Sequence, residues 1–216
     1  MAGRGTFGRL WQRIQRVRRE VGLLGAVRRV VRNRNPIHRG LAYEITPDVL
    51  AAAQLPDPGD LVTTRYDSWD EIPGELRQVF EERDSEPQRR DFECYFADGS
   101  TVWIGLIDGA LAGVCWRTRP RDRGRYFVPL TKTEAIIYAC FVLPGFRGRN
   151  IYPRMLQRQV AESFEDGLTR VYINCKRWNT PSVRGIQKAG FRAIGGSWIC
   201  VFRGRARYFW NNCPQA

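Results

Sequence analysis

The chain has 216 residues, 43% hydrophobic and 26% charged, enough for one domain with a real core plus an appendage. Its formal charge of +13 is unevenly spread: residues 1–40 hold eleven arginines against one acid, Glu20, a charge of +10, and the other 176 residues carry +3. No apolar run reaches the roughly 18 residues a membrane span needs. A single histidine, His38, argues against histidine-based zinc sites and Ser-His or Cys-His pairs, and none of the six cysteines forms a C-x-x-C motif, so a reducing, cytoplasmic setting without a metal is expected.

Residues 7–31 carry Phe7, Leu10, Trp11, Ile14, Val17, Val21, Leu24, Val27 and Val31 at steps of three and four, the pattern of a basic amphipathic helix. Three readings stay open for it. It docks on an anionic membrane, which would place the protein peripherally at the inner membrane surface. It packs its apolar stripe on its own domain. Or, as the weakest of the three, it is a nucleic-acid arm. A boundary near residue 40 separates this extension, 1–40, from a body, 41–216.

In the body, Leu41–Thr46 is a candidate strand, 51–59 a linker rich in Ala and Pro, and Leu61–Thr64 a strand. A helix is expected from Ile72-Pro73 to about Arg83, with Leu76, Val79 and Phe80 inward, and a second over 86–98. Asp108-Gly109 predicts a hairpin between Thr101–Ile107 and Leu111–Thr118. The arginines of 117–125 read as a mobile, solvated connection. Leu168–Cys175 is a strand, Pro181 opens a helix after Asn179, and Phe191–Phe202 and 205–210 are closing strands. Strands alternating with helices late in the chain point to an α/β fold.

The stretch 133–165 organises the rest. Ala135–Leu143 is nine uncharged residues rich in β-formers, read as a buried strand. Pro144-Gly145 ends it. Arg147-Gly148-Arg149-Asn150 is a short basic loop, and from Ile151 apolar residues recur at helical spacing, with Pro153 in the first turn. The unbonded N–H groups and dipole of a helix start favour an anion, Gly148 permits close approach, and Arg147 and Arg149 add charged donors, which makes a phosphate cradle.

Val142-x-Pro144-x-x-Arg147-Gly148-x-x-Ile151, followed by Asn179-x-x-Ser182 and Lys188-x-Gly190-Phe191, resembles the two ordered motifs of the GNAT superfamily of N-acyltransferases. Asn150 and Tyr152 stand where that family has small residues, and Asn tolerates a left-handed backbone. The resemblance covers roughly residues 61–210. It implies a GNAT-like mixed β-sheet flanked by helices, here preceded by the basic amphipathic helix.

It also implies an acyl-CoA donor, acetyl-CoA or another, with its diphosphate on the amides of Arg147, Gly148, Arg149, Asn150, Ile151 and Tyr152. The pantetheine arm would lie along the backbone of Phe141, Val142 and Leu143, and Asn179 would orient that arm or cap the next helix. An amine acceptor attacks the thioester directly, with no covalent enzyme intermediate. Glu134, at the start of the central strand, is the candidate base, and Tyr138 lies on the same strand face. Many members carry a tyrosine acid two residues before the Lys of Lys-x-Gly-Phe; this chain has Ile186 there, so acid assistance would come from Ser182 or from water. Two alternatives share these residues: a long-chain N-acyltransferase fed by an acyl carrier protein, which the basic extension could recruit, and a CoA-binding module without catalysis.

Overall fold

The computed structural model describes residues 37–52, 59–83, 94–118, 130–202 and 205–211. The helix expected over 7–31, the linker residues 53–58, most of the second helix expected over 86–98, and residues 119–125 of the arginine-rich connection lie outside them. Two compact units divide the chain, Met1–His38 with Ile199–Arg207 and Arg39–Trp198 with Tyr208–Ala216. Every residue of the candidate site belongs to the second.

The elements are β1 (Ile37–Ile45), α1 (Pro47–Ala52), β2 (Val62–Tyr66), α2 (Gly74–Arg83), β3 (Thr101–Ile107), β4 (Ala110–Thr118), β5 (Glu134–Val142), α3 (Ile151–Glu165), β6 (Arg170–Lys176), α4 (Thr180–Lys188), β7 (Arg192–Phe202) and β8 (Arg205–Asn211). A single turn of 3-10 helix, Pro144–Phe146, joins β5 to the loop before α3. One mixed sheet holds the strands in the order β2-β3-β4-β5-β6-β1-β7-β8. β2, β3, β4 and β5 pair antiparallel in sequence, β5 and β6 pair parallel, and β6 pairs antiparallel with β1. The parallel pair exists because α3 carries the chain back along the sheet, as a parallel connection requires.

Helices cover both faces. On one face α3 sets Ile151, Met155, Leu156 and Val160 against Ile137, Cys115, Ala112, Val171 and Ile173, with Ile186 of α4 in the same core. Burying each of those large aliphatic side chains contributes about 1.5–3 kcal/mol. Gly105 and Gly113, partners across β3 and β4, form a notch for Met155: a Cβ on either would stand 2.8 or 2.9 Å from its Sδ. On the other face Phe80 and Leu76 of α2 meet Val102, Ile104, Val114 and Trp116. Between α2 and β3, residues 94–97 form a single helical turn whose Tyr95 and Phe96 pack edge-on against Trp116 at 5.1 and 4.8 Å.

Three local expectations need correction. A short helix, α1, occupies part of the stretch read as linker, and its Val49 and Leu50 pack into the α3 core. The β1 strand starts at Ile37, ahead of Leu41. Arg117 is no part of a solvated loop: it is the last residue but one of β4, with its side chain only 3% exposed. Its Nη2 donates to Asp166 Oδ2 at 2.8 Å, its Nη1 to Ser163 Oγ at 2.7 Å, and its guanidinium lies 4.7 Å from the centre of the fully buried Trp103 ring. A run of arginines looks solvated in sequence, and nothing local marks the one whose partner lies 49 residues away.

A candidate donor site in the fork between two parallel strands

β5 and β6 pair only from Glu134↔Arg170 to Ile137↔Ile173, yet β5 runs on to Val142 and β6 to Lys176. The strands therefore open into a fork at their carboxyl ends. A β-bulge helps to make it. Against β4, Trp116 pairs with Tyr138 but Val114 with Phe141, so β5 carries one extra residue there, and Ala139 adopts φ 48°. Bulges re-aim the side chains beyond them. Ile136 and Tyr138 precede it on the α2 face, and Phe141 and Leu143 follow it on that same face. Ile137, Cys140 and Val142 face α3.

The loop closing the fork has the geometry expected of a cradle. Gly148 sits at φ 82° and Asn150 at φ 57°, so the left-handed conformation that asparagine tolerates is used. The first backbone bond into α3 runs from Arg154 N to Asn150 O. The amides of Gly148 to Tyr152 precede it, at the positive end of a 15-residue helix. Arg147 and Arg149 are exposed beside them; Arg147 Nε donates to Val142 O at 3.3 Å, and Arg149 Nη2 stands 4.0 Å from Asp60. Lys188, from the second motif, donates to Asn150 Oδ1 at 3.0 Å and so ties the two motifs together. It was absent from the candidate residues, although the Lys-x-Gly-Phe pattern pointed at it.

The strand backbone divides differently from the expectation. Leu143 N donates to Ala112 O on β4 at 2.8 Å, so its amide is turned away from the fork. Alternate residues of an antiparallel strand turn to opposite neighbours, which leaves Val142, between Phe141 and Leu143, presenting its backbone to the fork. Asn179 precedes α4 at φ −82°, and its side chain makes no capping bond.

Of the three residues expected to do chemistry, two lie near the fork. Tyr138 is the first residue past the last β5–β6 pair, on the α2 face, where its hydroxyl donates to Ser100 Oγ at 2.9 Å and its ring meets Tyr95 edge-on at 5.0 Å. Ser182 opens toward Tyr152, hydroxyl to hydroxyl at 3.5 Å. Glu134 lies at the opposite end of β5, eight residues from Val142 and so roughly 25 Å away along a strand. There it accepts from Thr131 N at 2.7 Å and from Tyr172 Oη at 3.2 Å, with Arg170 at 4.0 Å. Its carboxylate is held in a strand-end network.

Tyr152 does not crowd the cradle. Its ring turns onto α4 against Gly185, where any Cβ would overlap it. Ile186, in the position of the family's tyrosine, is fully buried core. Tyr152 packs in one core cluster with Cys140 of β5, Cys115 of β4 and Cys175 of β6. Burial pushes the Cys175 thiol up to about 11, against a hydrogen bond from Ser182.

Sequence comparison now agrees with this geometry. The acetyltransferase (GNAT) family profile matches residues 66–191, more than half of the chain. The chain belongs to the GNAT acetyltransferases. No curated protein sequence matches it. Among solved structures, a protein of the GNAT family from Novosphingobium aromaticivorans is 18% identical, with 75% of this chain and 62% of that one covered and a TM-score of 0.51. A conserved protein of unknown function from Staphylococcus epidermidis is 12% identical, with 80% and 64% covered and a TM-score of 0.53. An acetyltransferase of the GNAT family from Colwellia psychrerythraea is 14% identical, with 72% and 53% covered and a TM-score of 0.52. At these identities the likeness is one of fold, and this GNAT chain spans less than two thirds of each structure's length. A cavity of about 260 Å³ lined by Arg65, Gly99, Thr101, Arg117 and Asp166 lies at the far end of α3 from the cradle, outside the GNAT motifs. Among the described residues no helix is long and apolar enough to cross a membrane.

Proposed function

We propose that this protein moves an acyl group, acetyl in the simplest case, from an acyl-CoA to an amine by direct attack. The observation that carries the reading is the fork of β5 and β6 closed by the Arg147–Tyr152 cradle. In this reading the amides of Gly148 to Tyr152 and the two arginines hold the diphosphate. Val142 offers its backbone to the pantetheine arm, and the thioester lies where the strands part. The acceptor arrives from the α2 face, beside Tyr138. Positioning does most of the work, since a bound amine and thioester react as one unit. Glu134 is too far along the strand to serve as base, so the amine sheds its proton near Tyr138 or to water.

Thermal unfolding of the full chain with acetyl-CoA and with longer acyl-CoAs tests this directly. A donor at 100 times its dissociation constant adds about 2.7 kcal/mol to stability. No shift with any acyl-CoA or with CoA would end the donor reading. A second expected result locates the cradle. Arg147→Ala with Arg149→Ala removes charged donors worth about 2 kcal/mol, a roughly 30-fold loss of CoA affinity by calorimetry. Both side chains are exposed, so the urea midpoint should stay within about 0.5 kcal/mol of the parent. Unchanged CoA affinity would place the cradle elsewhere.

A further inference from the structure

Asparagine ranks among the best residues for capping the start of a helix, its side-chain oxygen accepting from the amide two or three residues on. Asn150 holds that position before α3 and does not use it: its side chain makes no capping bond. Two observations account for this. Its backbone is left-handed, φ 57° and ψ 20°, whereas a capping residue takes extended backbone. Its carboxamide is also engaged elsewhere, Oδ1 accepting from Lys188 Nζ at 3.0 Å.

The lysine is held in place from behind. It is the last residue of α4, which is stopped by Gly190 at φ 92°. Gly190 N donates to Gln187 O at 3.0 Å and Phe191 N to Ile186 O at 3.3 Å, with Phe191 and Ile186 packed in one core cluster. Gln157 of α3 donates to Ala189 O at 3.4 Å, so the end of α4 is tied to the helix whose start it meets. Lys-x-Gly-Phe is therefore a helix stop that sets its lysine against Asn150. The amides at stake are few. Pro153 has no N–H, and Arg154 N already donates to Asn150 O at 3.3 Å, so the first turn of α3 keeps only the amides of Ile151 and Tyr152 for another acceptor. A capping carboxamide would take Tyr152, since the third helical position is the proline.

We propose that Lys188 is a positioning residue that keeps Asn150 from capping α3 and so reserves the Tyr152 amide for the donor's diphosphate. The inference rests on the acyl-CoA reading of the cradle. A carboxamide oxygen and a phosphate oxygen compete for one N–H. The cap would also take Asn150 out of its left-handed backbone, which would reshape the loop from Gly148. A glycine here would carry no such competitor. With asparagine in its place a second group must hold the oxygen, and Lys188 does.

Amide hydrogen exchange of the ligand-free full chain, with calorimetric titration of CoA, tests this. Lys188→Met keeps the length of the side chain and loses the bond. The released carboxamide should slow exchange of the Tyr152 amide about fivefold, as a typical cap does, and weaken CoA binding by a similar factor. The urea midpoint should not fall, which separates positioning from support of the fold. Adding Asn150→Gly removes the carboxamide, so exchange should return to the parent rate and CoA affinity to within about twofold of Asn150→Gly alone. Lys188→Arg, which can make the same bond, should behave as the parent. If binding by Lys188→Met stays weak once Asn150→Gly is added, the lysine meets the phosphates itself and the inference is overturned. Equal Tyr152 exchange in the parent and Lys188→Met would overturn it alone, with the donor reading intact. A parent chain that binds no CoA would end the acyl-CoA reading and the inference with it.

Discussion

Asp166→Ala should cost about 3 kcal/mol of stability in urea unfolding at pH 7, although the residue sits outside the fork. The reason is the buried ion pair it breaks. Arg117 is 3% exposed, and its Nη2 donates to Asp166 Oδ2 at 2.8 Å. Removing one member of a buried pair costs about 3–5 kcal/mol; Asp166 is itself 23% exposed, which favours the lower end. Arg65 loses a carboxylate in the same step, its Nη1 donating to Asp166 at 2.9 Å, but it keeps Asp67. The pH dependence has a definite sign. Burial pushes the Asp166 carboxyl up, and the hydrogen bonds from Arg117 and Arg65 outweigh burial and hold it below its usual range. A carboxylate lowered in the folded state stabilises above its unfolded value, near 3.9, and that contribution is lost as pH falls through the folded value. The gap between parent and variant should therefore be full at pH 7 and shrink below about pH 4. A gap that grows on acidification would overturn the assignment.

The second large effect is expected at Gly113. Its new Cβ in Gly113→Ala would stand 2.9 Å from the carbonyl oxygen of Phe141 and 2.9 Å from Met155 Sδ. The methionine can rotate, but the carbonyl belongs to β5 and moves only if the strand moves. Overpacking of this kind costs about 1–3 kcal/mol, and the displaced strand is the one that forms the fork. Both the unfolding midpoint and CoA affinity should fall. Gly74→Ala is the control, since nothing lies within 4 Å of a Cβ there. Loss of stability with unchanged CoA affinity would show that the fork does not depend on this part of β5.

The central strand, the basic loop, α3 and the Asn179–Phe191 segment were legible in the sequence because each is marked locally, by an uncharged run, by Pro144 and Gly148, by helical spacing, or by turn residues. What escaped was non-local or unmarked. Nothing about Ala139 announces a positive φ, a conformation more often taken by Gly or Asn. The orientation of Tyr152 depends on Gly185, 33 positions later, and the burial of Arg117 on Asp166. Glu134 was a candidate because it starts the central strand of a chain that resembles the family, but its distance from the fork follows from where β5 and β6 stop pairing, which side-chain type does not encode.

The extra residue in β5 also fixes where the site can be. Counted along the strand, even positions face α2 up to Tyr138, and odd positions face it from Phe141 onward. The strand changes parity once. Moving that change two positions toward the loop would swing the Cys140 thiol among the aromatic rings of the α2 face and send Phe141 into the closely filled layer beneath α3. Moving it two positions the other way would drive Tyr138 against α3. Both shifts exchange a ring for a small or aliphatic group on two packed surfaces at once. The depth of the fork is therefore set by the shapes of the two cores above and below it, and residues that never meet a substrate decide how far into the sheet a substrate can reach.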